Sequence, residues 1–260
     1  KLDEWGNQTE AAVEWDPSTA VRPLSVKARV QLEGRPVAVR AWQYDVKGAS
    51  GFTVPLILLD TRLAENSLED RKITSFLYGG DQRYRILQEV VLGVGGIRVL
   101  RALGYSALER FHLNEGHAAF LGLDLLRDGG APVGQWDFKK VRERCVFTTH
   151  TPVAAGHDQF PWQLAEGVLG EEFPSDILRM LGGPNHLNMT LLAMNLSQYV
   201  NGVARKHGEV SQAMFPLHAI DSITNGVHSR FWTCGSFARL FDKYIPGWFA
   251  DPFSLRNAVS

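Results

Sequence analysis

Four short segments gather the residue types that could do chemistry: His112-Leu113-Asn114-Glu115-Gly116-His117, Thr149-His150-Thr151-Pro152, Val200-Asn201-Gly202-Val203 and Thr224-Asn225-Gly226-Val227-His228. Each sets amides, hydroxyls or imidazoles beside Gly or Pro, and most follow an apolar run. That is the pattern of a strand ending in a tight turn. In a parallel α/β sheet, ligands bind at the carboxyl ends of strands. Asn, Thr, neutral His and backbone groups both donate and accept, which matches a polyhydroxyl ligand. Singly, each segment also reads as an ordinary turn whose Asn-Gly or Thr-Pro suits the backbone. Together they point to one site lined by four turns, with His117 facing a substrate.

Other chemistries fit less well. His112 and His117 lie five apart with Gly between them, so on a helix their imidazoles would splay, unlike the four-residue spacing of zinc protease helices. His150 and His157 are seven apart across a Pro/Gly loop without a thiolate pair, so no metal is expected. There is no Gly-x-Ser-x-Gly elbow for a serine nucleophile. Gly93-Val94-Gly95-Gly96 lacks the spacing and the strand–turn–helix context of a phosphate loop; the glycines read instead as points of close helix packing.

The elements that must position these turns follow from periodicity. Residues 1–25, with Pro17 and Pro23, read as loop. Val26, Ala28, Val30 and Leu32 alternate with polar residues, Glu33-Gly34 makes a turn, and Val37 to Tyr44 resumes, so residues 26–60 form an antiparallel β-hairpin region. The continuous apolar run Val54 to Leu59 is expected as a buried strand. Beyond Asp60 the texture becomes αβ alternation, with a short helix expected between Leu63 and Phe76. Asp81 is a candidate N-cap for a long helix from Gln82 towards Leu103. Strands are expected at Phe111–Asn114, Cys145–Thr148 and Ile220–Thr224, and helices over 116–127, 136–144, 188–199 and 203–215, with Val200-Asn201-Gly202 as a turn. Gly129, Gly130, Pro132 and Gly134 read as loop. Phe231, Trp232, Phe237, Leu240, Phe241, Tyr244 and Trp248 form an apolar tail in need of a partner surface.

Bulk properties narrow the class. The 260 residues are 45% hydrophobic and 21% charged, enough for a core in one domain. A net charge of −1 offers no field to recruit nucleic acid or an anionic membrane. Two distant cysteines suggest reduced thiols in a cytoplasmic protein, with Cys145 a buried structural one. No apolar run approaches a membrane span. The polar start is not a signal peptide, and its lack of Met suggests a piece of something longer.

The blocks Tyr78-Gly79-Gly80-Asp81-Gln82-Arg83-Tyr84-Arg85, His112 through Phe120, Phe147-Thr148-Thr149-His150-Thr151-Pro152-Val153, Val200 through His207 and Ile223 through His228 resemble those of the α-glucan (glycogen, starch and maltodextrin) phosphorylases, the first three most closely the bacterial and archaeal branch. The match is co-linear from about residue 26 to about residue 235. The resemblance implies an α/β fold: a partial, Rossmann-like N-terminal domain of a two-domain glycosyltransferase B enzyme. On that basis residues 1–260 are one partial domain. Residues 26–60 form its hairpin region, 76–235 its αβ-alternating, sugar-binding part, and 236–260 a linker towards a second domain.

The implied reaction is phosphorolysis of the terminal α-1,4-linked glucose to glucose 1-phosphate with retention, using pyridoxal 5′-phosphate, whose phosphate exchanges a proton with the substrate phosphate. Residue by residue, His117 matches the histidine that bonds the glucose at the cleavage point, its carbonyl near the developing positive charge. Asn225 matches an asparagine on the glucose hydroxyls, Val203 a valine beside the ring, and Trp232 a tryptophan near the cofactor. Glu115 belongs to the same substrate-binding block. The partners implied are α-glucan and phosphate, with a homodimer one option for the complete protein.

The chain departs from that pattern in lacking the glycine-rich loop near the cofactor phosphate, the Ser-Gly-Thr-Ser segment with its Schiff-base lysine, and the basic residues that hold substrate phosphate. It is therefore expected neither to bind the cofactor covalently nor to turn over glucan alone. A non-catalytic carbohydrate-binding fragment and a nucleotide-sugar glycosyltransferase of related fold are the alternatives.

Overall fold

The computed structural model describes residues 4–8, 16–48, 51–77, 80–128, 135–170 and 172–259. The glycine-rich loop at 129–134 and Tyr78-Gly79 lie outside the described residues.

The chain opens with a three-stranded antiparallel sheet, β1 (Arg22–Leu32), β2 (Arg35–Lys47) and β3 (Thr53–Asp60), in that order. Strand β1 thus begins inside the stretch expected as loop. Glu33 and Gly34 make the first hairpin turn with φ of 51° and 76°, two positive values in succession, which a two-residue turn of the primed type requires. The hairpin region matches expectation, but the burial of β3 does not. Val54, Leu56 and Leu58 are 57%, 46% and 37% exposed; the first two pair with the exposed Val46 and Tyr44 of β2, the third with the buried Trp42. A continuous apolar run reads as buried on both faces, but only Ile57 and Leu59 of this strand pack against the core.

A short 3-10 turn, Asp70–Lys72, is what forms between Leu63 and Phe76. The long helix then starts at its expected cap, where the Asp81 carboxylate accepts from the Tyr84 amide at 2.8 Å. It comprises α1 (Gln82–Val90), a π-helical turn (Val91–Gly95) and α2 (Gly96–Ala102). Its glycines serve packing: a Cβ on Gly93 would lie 2.8 Å from the Leu121 amide nitrogen and 2.9 Å from Phe120 Cβ, and one on Gly95 would lie 3.4 Å from Val30. The helix axis is thus pressed against the segment that follows His117 on one side and against β1 on the other.

The second sheet is parallel, in the order β4 (Phe111–Asn114), β5 (Cys145–Thr149), β8 (Tyr199–Gly202) and β9 (Asp221–Ser222). Between β4 and β5 run α3 (Phe120–Arg127) and α4 (Phe138–Arg142). Between β5 and β8 lie a two-stranded ribbon, β6 (Gln159–Pro161) and β7 (His186–Asn188), and helices α5 (Trp162–Leu169), α6 (Ser175–Gly182) and α7 (Met189–Asn195). Helix α8 (Arg205–Met214) connects β8 to β9. The Val200-Asn201-Gly202 segment, expected as a turn, is strand β8. Its Val200 and Asn201 pair with Phe147 and Thr148, and that ladder overrides the local turn preference of Asn-Gly.

Phe120, Phe147, Leu113 and Leu123 are fully or almost fully buried in a single core shared with Val30 and Val39 of the antiparallel sheet and Ile86 of α1. Cys145 is buried as expected, and burial pushes its thiol up to about 12, outside nucleophile range. The tail forms α9 (Ser229–Trp232), α10 (Gly235–Tyr244) and a 3-10 segment, Pro252–Val259. Trp248 and Ile245 are buried, while Phe231, Trp232 and Phe253 are each more than 70% exposed. No helix among the described residues is long and apolar enough to cross a membrane.

Candidate functional site

Because β4, β5, β8 and β9 are parallel, their carboxyl ends share one edge. The register aligns Asn114 with Thr148, Thr149 with Gly202, and Gly202 with Ser222. Past those pairs the four polar segments continue side by side. The Glu115 amide donates to the Thr148 carbonyl at 3.0 Å, Ile223 to Gly202 at 2.9 Å, and Asn225 to Val203 at 3.0 Å. The row predicted from the sequence is therefore brought together. Its outer members, the His117 and Asn225 segments, lie about three strand spacings apart, roughly 14 Å. That separation suits groups that bracket a ligand rather than share one of its atoms.

Glu115 ties the first two turns to each other. Its φ is +63°, unusual for a residue with a Cβ and costly by about 1–3 kcal/mol. The conformation turns its Oε1 onto the neighbouring turn, where it accepts from the Thr151 hydroxyl at 3.0 Å, the Thr149 hydroxyl at 3.3 Å and the His150 amide. One oxygen of this expected sugar ligand is thus engaged in fixing the β5 turn. The adjacent glycine is required by space: a Cβ on Gly116 would stand 3.0 Å from Met189 Cβ and 3.2 Å from the Thr190 amide nitrogen, at the start of α7.

His117 follows on a one-turn 3-10 segment, half-buried. Its Nδ1 lies 3.2 Å from Asp158 Oδ2 and 3.5 Å from Glu89 Oε1, and Arg85 Nη2 donates to the same Asp158 oxygen at 2.6 Å. Arg85 and Glu89 are on α1 and Asp158 immediately precedes β6, so three separate elements converge. Bonds to Asp158 and then Glu89 push the His117 imidazole up to about 10. Burial pushes Glu89 up to about 8, and the bonds from His117, Glu89 and Arg85 outweigh burial to hold Asp158 down near 2. Glu89 Oε2 is buried and has no hydrogen-bond partner.

The histidine pairs weighed for metal do not converge. His112 Nε2 bonds the Thr148 hydroxyl at 2.7 Å, and that hydroxyl donates to Asn201 Oδ1 at 2.9 Å, so His112 belongs to a chain of bonds across the sheet. His157 Nδ1 bonds the Thr190 hydroxyl at 2.8 Å, and burial lowers its pKa. The group that could hold a metal is a different one, Glu89, His117 and Asp158, whose ligand atoms lie within 4.8 Å of one another. The Arg85 guanidinium already meets Asp158 at 2.6 Å, a competing cation beside the place an ion would take.

Of the other expected site residues, Val203 is half-buried beside β8, Asn225 is exposed beyond β9, and Trp232 is 74% exposed with its ring edge-on to Phe231 at 5.2 Å. His150, in the predicted row but not singled out for a role, directly follows β5, one of the two inner strands, half-buried, with its amide held by Glu115. Arg85, Glu89 and Asp158 were missed. The available signal was Glu89 itself, a charge flanked by Leu87 and Val90 on the apolar side of a helix. Two cavities lie elsewhere: about 290 Å³ around Phe111, Arg101 and Arg144 at the amino end of the sheet, and about 520 Å³ around His157, Leu191 and Phe215.

Known proteins share this sequence along most of its length. Glycogen phosphorylase of Mycobacterium tuberculosis is 36% identical over 278 residues, covering 92% of this chain and 31% of that protein. Maltodextrin phosphorylase of Thermococcus litoralis is 36% identical over 275 residues, covering 94% and 31%. Glycogen phosphorylase of Aquifex aeolicus is 32% identical over 242 residues, covering 85% and 34%. The chain spans about a third of the length of these curated relatives. No family model matches it.

Proposed function

We propose that this chain, a homologue of the bacterial and archaeal glycogen and maltodextrin phosphorylases, is part of an α-1,4-glucan phosphorylase and forms one wall of its sugar site. The observation that carries this is 36% identity extending over 92% of the chain. The row of polar strand ends supports it, because amide, hydroxyl and imidazole groups held by a rigid sheet suit a sugar that both donates and accepts. In this reading the chain belongs to the N-terminal Rossmann-like half of a glycosyltransferase B enzyme. That enzyme releases glucose 1-phosphate from glucan ends with inorganic phosphate. His117 bonds a sugar hydroxyl, Asn225 bonds hydroxyls from the far end of the row, and Val203 packs against the ring. Glu115 sets the turn that carries His150. The His117 carbonyl lies near the positive charge that develops at the sugar, a fixed arrangement that favours the transition state.

For pyridoxal 5′-phosphate, implied by the resemblance, the lysine beside the row is poorly suited as a covalent partner. A Schiff-base lysine needs a desolvated setting. Lys206, close to the row, has its side chain 85% exposed and paired with Glu209 at 3.0 Å. We therefore route no step through the cofactor, and its lysine is expected outside this chain. Borohydride reduction of the purified chain after incubation with the cofactor should yield an unchanged mass; a pyridoxyl adduct on any of its lysines overturns this assignment. In the complete protein, His117→Ala and Asn225→Ala should each reduce phosphate-dependent glucose 1-phosphate release about tenfold or more, the scale of a lost hydrogen bond at about 1.4 kcal/mol. Unchanged release in both variants removes the site assignment.

A further inference from the structure

The cluster behind His117 has a chemistry that spacing does not reveal. Two carboxylates approach one imidazole nitrogen, Asp158 Oδ2 at 3.2 Å and Glu89 Oε1 at 3.5 Å from Nδ1. Nδ1 carries a single proton, so it cannot serve both fully. Asp158 has the better claim, being nearer and backed by the Arg85 guanidinium at 2.6 Å. Glu89 is only 4% exposed, its Oε2 is unpartnered, and the nearest positive group is already committed. A buried carboxylate in that position takes up a proton rather than remain charged.

The remaining surroundings of His117 do not alter this balance. The π-helical turn Val91–Gly95 and helix α7 (Met189–Asn195) pack against its 3-10 turn and carry no charged side chain. Glu115, two residues earlier, is committed to the β5 turn, and His157, next to Asp158, is bonded to Thr190. Arg85 and Glu89 from α1 and Asp158 ahead of β6 are thus the charged groups that set the state of the ring. No described residue bonds Nε2, the nitrogen on the opposite side of the ring.

We propose that Asp158, backed by Arg85 and by a protonated Glu89, is a positioning residue that holds His117 as an imidazolium with Nδ1–H turned inward and Nε2–H presented to the strand-end crevice. His117 is then a donor that cannot accept, so the ligand atom it meets is an acceptor oxygen, and any sugar hydroxyl there turns its own proton elsewhere. This rests on the reading of the row as a sugar site, but the state of the ring is measured without it. With Arg85 and His117 carrying +1 each, Asp158 −1 and Glu89 neutral, the cluster keeps a net charge of +1, which the outward Nε2–H offers to the ligand.

The test is a titration of the isotope-labelled 260-residue chain by NMR, with His117 assigned through the signal lost in His117→Asn. In the unsubstituted chain the His117 ring should remain protonated well above the usual histidine midpoint of about 6.5. Asp158→Asn should lower the midpoint by about 1–3 units, the effect of removing an opposite charge at this distance. Glu89→Gln replaces a protonated carboxyl by a neutral amide and should leave the ring protonated at pH 7. A midpoint near 6.5 in the unsubstituted chain overturns the proposal, and needs no variant to fold. So does an unmoved midpoint in Asp158→Asn, or a ring that is mostly neutral at pH 7 in Glu89→Gln. The titration uses neither glucan nor phosphate, so its failure leaves the phosphorylase reading standing. Failure of the glucose 1-phosphate assay in turn leaves the imidazolium intact.

Discussion

Asp124→Ala should lower the unfolding free energy by about 3–5 kcal/mol, the cost of removing one partner from a buried ionic network. Asp124 on α3 is fully buried and accepts from three arginines: Arg98 Nε at 3.0 Å, Arg101 Nη1 at 2.7 Å and Arg127 Nη2 at 2.8 Å. Arg98 and Arg127 also bond Glu172, and Arg98 donates to the Arg29 carbonyl of β1 at 2.6 Å. The network therefore joins the antiparallel sheet, the second half of the long helix and α3. Removing Asp124 leaves three guanidiniums facing Glu172, which answers two of them. Arg101 loses its buried partner and keeps only the exposed Asp128, so repulsion and lost hydrogen bonds add to the cavity left behind. At about 2–4 °C per kcal/mol for a chain of this size, the midpoint of thermal unfolding falls by roughly 10 °C. Arg101→Ala, at the solvent rim, should cost about 1 kcal/mol or less. Urea unfolding of the two variants separates the cases: equal, small losses mean that the cluster is surface decoration rather than the joint between the two layers.

The sequence was most legible where one local rule decided the outcome. Alternation from Val26 and the Glu33-Gly34 turn identified the hairpin, and Asp81 identified the start of the long helix, because both are set by short-range backbone chemistry. The row of polar turns was legible for a related reason, since a parallel sheet places every strand's carboxyl end on one edge. Where tertiary pairing decides, local pattern misled. Val200-Asn201-Gly202 has turn composition, but Phe147 and Thr148 offer it a ladder. Val54 to Leu59 has the composition of a buried strand, but Val54, Leu56 and Leu58 on its outer face stay exposed. The cluster behind His117 was illegible because Glu89, His117 and Asp158 come from segments far apart in sequence, and only the helix packing allowed by Gly93 brings α1 against the His117 turn. The role of Glu115 depended on a positive φ that no composition announces.

That cluster also shapes how stability follows pH. His117 and Glu89 both have folded pKa values above those of the unfolded chain, about 10 against 6.5 and about 8 against 4.5. A raised folded pKa contributes stability that is fully present below the unfolded pKa and is lost as pH rises through the folded one. Glu89 therefore loses its contribution between about pH 4.5 and 8, and His117 between about 6.5 and 10. Asp158 acts in the opposite sense. Its folded pKa of about 2 lies below 3.8, so its contribution is present above pH 3.8 and is lost on the way down to pH 2. The three together place the greatest contribution of this cluster in mildly acidic solution and a long decline on the alkaline side. His117 is partly exposed, so water weakens its attraction to the two carboxylates. An effective loss of roughly 2–3 kcal/mol from pH 6 to pH 10 corresponds to a thermal midpoint lower by about 5–10 °C. The double variant Glu89→Gln/His117→Asn carries neither proton, so its alkaline decline should be shallower by about that amount, whatever its midpoint at pH 6. Parallel declines in the two proteins would mean that the protons lost on alkaline unfolding come from elsewhere, and that His117 is not held charged by the fold.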